Sequence, residues 1–203
     1  SSISWTQNSC NFISSHFYEK RITAVQSNDT RIIKHTTNSI VQKSFGIEYI
    51  AIDHSGNEQA SEEEAVAIEK ITRSLLQSCK IDRNGKESKI IEDDILIVTP
   101  YNHQARLLSD NLGSTFNIGT VDKFQGRQAP IVIISMASSS AIDSPRGLDF
   151  LFDPNRLNVA LSRAQSLAIL VASSELETPV AKNIKDIKSL NLYLDLLNHA
   201  STS

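Results

Sequence analysis

Short apolar runs alternate along this chain with stretches in which apolar positions recur every three or four residues. Residues 46–53 carry the β-formers Ile47, Tyr49, Ile50 and Ile52 and predict a strand. Ser61 then stands where it can cap a helix. Glu62, Glu63 and Glu64 fill the first turn, where the helix dipole favours acids, and Ala65, Ile68, Ile71, Leu75 and Leu76 line one face. That helix is expected to end near Cys79. Residues 95–98 read as a buried strand, 101–112 as a helix stopped at Gly113, and 116–121 as a strand. The apolar run 131–137 shows no alternation and predicts a strand buried on both faces. Pro154 opens a helix expected to reach about Gln165, 167–172 forms the last core strand, and 182–198 a C-terminal helix.

Elsewhere the pattern is weaker. Phe12, Ile13 and Phe17 fit a short helix over 11–18. Residues 23–46, rich in Thr, Ser, Asn and Lys, read as a loop region with at most an edge strand. Residues 82–89 are charged, contain Asn84-Gly85 and read as an exposed turn, and 138–149 read as a loop. Strands alternating with helices call for a parallel α/β sheet with helices on both faces. One domain over 1–203 is expected: an irregular leading segment over 1–46, a core over 47–175 and a C-terminal helix over 176–203.

Composition narrows the picture only a little. The chain has 203 residues, 40% of them apolar, which is ordinary for a globular protein. No apolar run approaches the roughly 20 residues that span a bilayer. The chain does not begin with Met and is read as an excised or processed piece, with a cytoplasmic, bacterial setting as the expectation. Twenty basic and 23 acidic side chains give a net charge of −3, which neither marks nor excludes a nucleic-acid binder. Cys10 and Cys79 form no CxxC pair, and the five histidines lack ligand spacing, so neither a structural disulfide nor a metal site is expected.

Ligands of an open α/β sheet bind beyond the carboxyl ends of its strands. Three such places carry polar residues that packing does not require. At the first, the strand 95–98 runs into Thr99, Pro100, Tyr101 and Gln104, where a helix N-terminus and an amide are able to face a nucleotide. At the second, Gly119 and Gly126 frame a turn holding Thr120, Asp122, Gln125 and Arg127; Gly126 is suited to a close backbone approach, and the plainer reading is a capped turn with Phe124 plugging the core. At the third, Leu157, Ala160, Leu161 and Ala164 face inward, Asn155, Asn158 and Ser162 form a polar stripe, and Arg156 and Arg163 lie seven apart on one side. Guanidinium forks match phosphate oxygens and keep their charge. What is missing matters equally. The only Gly-Lys pair is Gly85-Lys86, with Lys80 where a P-loop needs its first glycine, and no apolar strand ends in Asp-Glu to hold magnesium.

These three segments, in this order, resemble three C-terminal motifs of superfamily 1 helicases, in the branch that includes the nonsense-decay RNA helicase and the replication nuclease-helicase. Residues 99–104 resemble the fourth motif, 120–128 the fifth and 155–164 the sixth. Residues 11–18 resemble the short helix after the third, and Glu64-Ala65 the lead into the fourth. The resemblance implies a RecA-like second motor domain without a P-loop of its own, paired with an upstream RecA-like domain that binds most of the ATP and Mg2+. It implies Arg163 as the catalytic arginine finger. Gln104, Tyr101, Arg106, Gly126, Gln128 and Arg156 fall on the ATP side, and Thr99, Pro100, Thr120, Asp122, Gln125 and Asn158 on the side of a single-stranded DNA or RNA.

Departures from the family pattern are local. Ala105 stands where an Arg often follows the Gln of the fourth motif, with Arg106 next. Gln128 replaces a Glu that usually faces the ribose. Trp5-Thr6 lies where a Tyr-Arg pair is usual. The tail 167–197 resembles bacterial proteins in which a RecB-like nuclease is fused to the helicase core. The leading reading is half of an ATP-driven helicase, inactive in isolation. A non-catalytic nucleic-acid-binding or regulatory module from a degenerate helicase is the alternative. An unrelated α/β enzyme would need its own base and nucleophile, of which no convincing set stands in the sequence.

Overall fold

The computed structural model describes residues 31–124, 126–140, 144, 146, 148–177, 190–191, 193–198 and 200. The expected helix over 11–18 and most of the leading segment lie outside them, as does the first part of the expected C-terminal helix.

Continuous apolar runs build the centre. Strands β2 (Gly46–Ile52), β5 (Ile95–Thr99), β6 (Asn117–Thr120), β7 (Ala129–Ser135) and β8 (Ala164–Ser173) form one parallel sheet in the order β2-β8-β7-β5-β6. The three inner strands are almost wholly buried, because helices cover both faces. On one face Ile97, Ile133 and Ile169 meet Ile68, Ile71 and Leu75 of α1 (Glu62–Leu76) and Leu108 of α2 (Asn102–Leu112). On the other, Val98, Val132, Ile134 and Leu170 meet Leu157 and Leu161 of α4 (Pro154–Leu161), with Tyr193 and Leu196 of the C-terminal helical residues. Each such fully buried side chain contributes about 1.5–3 kcal/mol. The expected fold class is the one observed.

Local chemistry sets the element ends. Ser61 caps α1 by accepting from the Glu64 amide at 3.1 Å. Gly113, at φ 86°, ends α2 in a conformation that costs other residues strain. Asp153 caps α4 by accepting from the Asn155 amide at 2.9 Å, with Pro154 at its first position.

Several elements differ from the sequence reading. The exposed turn expected at 82–89 is the tip and return of a hairpin. Strands β3 (Cys79–Ile81) and β4 (Glu87–Lys89) pair antiparallel around Asn84-Gly85, and β1 (Ile32–Lys34) completes a small second sheet in the order β1-β3-β4. Strands of three residues, each with at least one charged side chain, give no readable alternation. Only Ile33 anchors this sheet fully in the core. The loop expected at 138–149 gives way to a helical turn, α3 (Leu148–Leu151). The helix expected to reach Gln165 stops at Leu161, because Ala164 is already paired with Ala129 as β8 begins.

Candidate nucleotide and strand interface

Strands β5 and β6 run side by side and end level, Thr99 beside Thr120. Beyond them opens a cleft of about 130 Å³. Thr99, Pro100, Asn102, Thr120 and Asp122 border it, and Val98, Ile134, Met136, Leu157 and Ala160 give it apolar walls. Arg146, Phe150 and Arg156 also line it. Thr99 is buried, and its hydroxyl accepts from the Tyr101 amide at 3.4 Å.

From Thr120 the chain turns through a 3₁₀ segment, Val121–Phe124, and runs down to the amino end of β7. Gly119 makes this descent possible. A Cβ there would lie 2.5 Å from Lys123 Cδ and 3.1 Å from Phe124 Cε2. Lys123 Nζ donates back to the Ile118 carbonyl at 2.8 Å, and Phe124 is buried in the core, as the plainer reading of this turn expects. A close approach within the chain is therefore made at Gly119. Gly126 has φ 82° and open space where a Cβ would be. Gln128 and Gly126 are exposed, and Gln125 lies outside the described residues.

A groove of about 270 Å³ lies between this descending segment and α4. It is lined by Val121, Asp122, Asn155, Arg156, Val159 and Arg163. Arg156 and Arg163 thus face one space, as their spacing suggests, though not as two residues of one helix. Arg163 stands in the turn after α4, at the amino end of the sheet. Its carbonyl accepts from the Ala129 amide at 3.0 Å, and its Nη1 donates to the Arg127 carbonyl at 3.4 Å. Its Nε is buried without a hydrogen-bond partner among the described residues. Arg156, at the other end of the helix, is 3.6 Å from Asp153 and lies over the Phe150 ring, 4.3 Å from its centroid. The absence of acids between the two arginines does not leave Arg156 unpaired, since Asp153 is one turn before it.

Gln104 does not line the cleft. It is fully buried, and its Oε1 accepts from the Ser61 amide at 2.8 Å. Its Nε2 donates to the Ser61 carbonyl at 3.2 Å and to Ser135 Oγ at 3.0 Å. Ser135 Oγ donates in turn to Glu64 Oε2 at 2.6 Å, which also accepts from the Ala137 amide at 3.0 Å. Glu64 Oε1 lies 3.0 Å from His54 Nε2, and His54 Nδ1 lies 2.7 Å from Ser139 Oγ. These side chains tie the start of α1 to the ends of β2 and β7, which is why buried polar groups are tolerated there. Beside them, Glu63 has its carboxyl held below its ordinary 4.5, first by its own backbone N–H, then by Asn57 and Ser61.

Tyr101 is buried, with its hydroxyl 2.7 Å from Ser144 Oγ and its ring 5.5 Å from that of Phe150. Arg106 borders a different groove, of about 520 Å³, with Asn102, Ser109, Thr120 and Lys123. Asn158 is buried, and its Oδ1 has no partner among the described residues. Sequence reasoning did not single out Arg146 or Phe150, which sit in and after a polar loop without periodicity. His54 and Ser135 also passed unnoticed, since a lone His or Ser at a strand end carries no signal.

A family described as AAA domain matches residues 6–175 of this chain. The chain belongs to that family. It is a superfamily 1 helicase-like domain with the RecA-like α/β fold. It is 29% identical over 178 residues to the ATP-dependent helicase upf1 of Schizosaccharomyces pombe, covering 80% of this chain and 18% of that protein. It is 37% identical over 109 residues to the human DNA replication ATP-dependent helicase/nuclease DNA2, covering 51% of this chain and 10% of that protein. It is 40% identical over 91 residues to the Arabidopsis thaliana DNA replication ATP-dependent helicase/nuclease JHS1, covering 44% and 6%. The chain thus spans less than a fifth of the length of each of these relatives.

Proposed function

We propose that this domain is the second motor half of an ATP-driven helicase or translocase, inactive alone and completed by an upstream RecA-like domain. The observation that carries this reading is the Arg163 guanidinium. Its Nε is buried without an acceptor among the described residues, beside a groove that Arg156 also lines. A buried N–H without an acceptor is costly, and phosphate oxygens would supply acceptors and opposite charge. Arg163 is the proposed finger for the γ-phosphate of ATP, with Arg156 lining the same groove; Gly126 and Gln128 are proposed to meet the nucleotide from the segment before β7. The P-loop and Mg2+ ligands come from the upstream domain, since this sequence has neither.

Thr99, Pro100, Thr120 and Asp122, on the cleft, form the proposed path of a single-stranded DNA or RNA. Val121 and Asp122 line both spaces, so a shift of the nucleotide flank is proposed to move the strand path. Gln104, placed with Ser61 and Ser135, acts in this account as a positioning residue that holds α1 and α2 together. Tyr101 braces the cleft from within through Ser144 and Phe150. Asn158 is proposed to steady the α4 segment. A nuclease domain elsewhere in the parent polypeptide, as in the helicase/nuclease relatives, is part of the same proposal.

The test is ATP turnover by this chain mixed with its upstream domain, with and without single-stranded DNA or RNA. Turnover that needs both halves and rises with strand is expected. Two folded halves that bind strand without turnover would replace the motor with a non-catalytic binding module.

A further inference from the structure

Strand β7 does not run smoothly into the segment that follows it. Beyond its pairing with β8, the Met136 amide still donates to the Val171 carbonyl at 3.1 Å. The chain then reverses within three residues. The Ser138 amide donates to the Met136 carbonyl at 2.8 Å, and Ala137 between them has φ 65°. A bond that spans one residue of positive φ makes the strained kind of γ-turn, in which a Cβ crowds the backbone. Glycine takes this shape freely, yet Ala137 holds the place, the one non-glycine residue of positive φ among the described residues. Strained backbone persists only where its surroundings hold it.

Here the hold comes from Glu64, which is wholly buried. Its Oε2 accepts from the Ala137 amide at 3.0 Å and from Ser135 Oγ at 2.6 Å. One carboxylate oxygen thus grips the residues on both sides of Met136. Past the turn, the Ser139 amide donates to the Asn57 carbonyl, and Ser139 Oγ accepts from the Asn57 amide, both at 2.8 Å. Ser138 Oγ lies 3.3 Å from the Tyr101 hydroxyl.

Resting on the motor reading above, we propose that Glu64 is a positioning residue of the motor, which holds Ala137 in the strained turn and so fixes Met136 and Ser138. His54 lies 3.0 Å from Glu64 Oε1, and Gln104 Nε2 donates to Ser135 Oγ at 3.0 Å, so both keep Oε2 aimed at the turn. Without the carboxylate the Ala137 amide has no acceptor in a buried place, and the turn relaxes toward extended backbone. Met136 then leaves its place, and Ser138 leaves Tyr101. The groove at Arg163 lies at the other end of the sheet and is not disturbed. Loss of Glu64 therefore lowers turnover without changing how ATP is held.

The test is strand-stimulated ATP hydrolysis by the full-length protein carrying Glu64→Gln, Ala137→Gly or both. Glu64→Gln keeps the size but sets an amide N–H against a donor. Turnover at saturating strand is expected to fall about tenfold, with the ATP concentration for half-maximal rate unchanged. Adding Ala137→Gly should restore most of the turnover, because glycine keeps the turn without the carboxylate's pull. Ala137→Val suits positive φ still less and should reproduce the loss with Glu64 in place. It decides the matter alone if Glu64→Gln does not fold. Unchanged turnover in Glu64→Gln or in Ala137→Val, or a Glu64→Gln loss that Ala137→Gly does not mend, overturns the positioning role and leaves the motor reading standing. An unaltered full-length protein without strand-stimulated turnover overturns both.

Discussion

Gln104 holds Ser61 by both of its amide atoms, accepting from its N–H at 2.8 Å and donating to its carbonyl at 3.2 Å. A side chain on the first turn of α2 thereby fixes the residue that caps α1. Gln104→Ala leaves both backbone groups of Ser61 and the Ser135 hydroxyl short of a partner in a buried place. A loss of about 1–3 kcal/mol in urea unfolding is expected. A stability unchanged by this substitution would remove Gln104 from its positioning role.

His54 and Glu64 face each other at 3.0 Å with both side chains wholly buried. Removing His54 leaves Glu64 Oε1 short of a partner in a buried place, while Oε2 keeps Ser135 and Ala137. His54→Ala is expected to cost about 3 kcal/mol, more than Gln104→Ala, because a carboxylate loses its partner. A chemical denaturation midpoint shifted less than that of Gln104→Ala would contradict this ranking.

The two glycines of the descending segment should respond differently. Gly119→Ala forces Lys123 aside, breaking its bond to the Ile118 carbonyl, and presses on Phe124, at a cost of about 1–3 kcal/mol. Gly126→Ala meets no atom and carries only the strain of its positive φ, about 1–2 kcal/mol. In nucleotide-stimulated assays of the full protein, Gly119→Ala should also weaken strand coupling, since it displaces Thr120 and Asp122. Thermal unfolding of the two variants separates clash from strain.

Glu63 gives a pH dependence with a definite sign. Its carboxyl is held below the ordinary 4.5 by its backbone N–H, Asn57 and Ser61, so the folded state favours the ionised form. That contribution is present above pH 4.5 and is lost as the pH falls through the lower folded value. Glu63→Gln should therefore destabilise the protein at neutral pH and flatten the fall in stability below pH 4.5. Melting temperatures across that window would show it.

The five-stranded sheet was legible because its inner strands are continuous apolar runs, and the Ser61 and Pro154 helix starts because the chemistry of helix starts is local. The hairpin of β3 and β4 was not, because strands of three residues show no period. Arg163 was legible as a functional candidate but misplaced on a helix. Where α4 ends is decided by the pairing of Ala164 with Ala129, a contact between distant residues. The contacts of Gln104 were not legible for the same reason. Its partners Ser61 and Ser135 lie 43 and 31 residues away, and only the fold brings them together. Phe150 and Arg146 gave no signal because a cleft lining drawn from a loop and one helical turn has no periodicity.

The central claim rests on Arg163, and strand-stimulated ATP hydrolysis by the full-length protein carrying Arg163→Ala tests it most directly. A fall on the order of 10³ in rate is expected, with strand binding and unfolding midpoint close to those of the unaltered protein. Turnover at the unaltered rate would contradict the assignment and leave the buried Nε of Arg163 a structural feature.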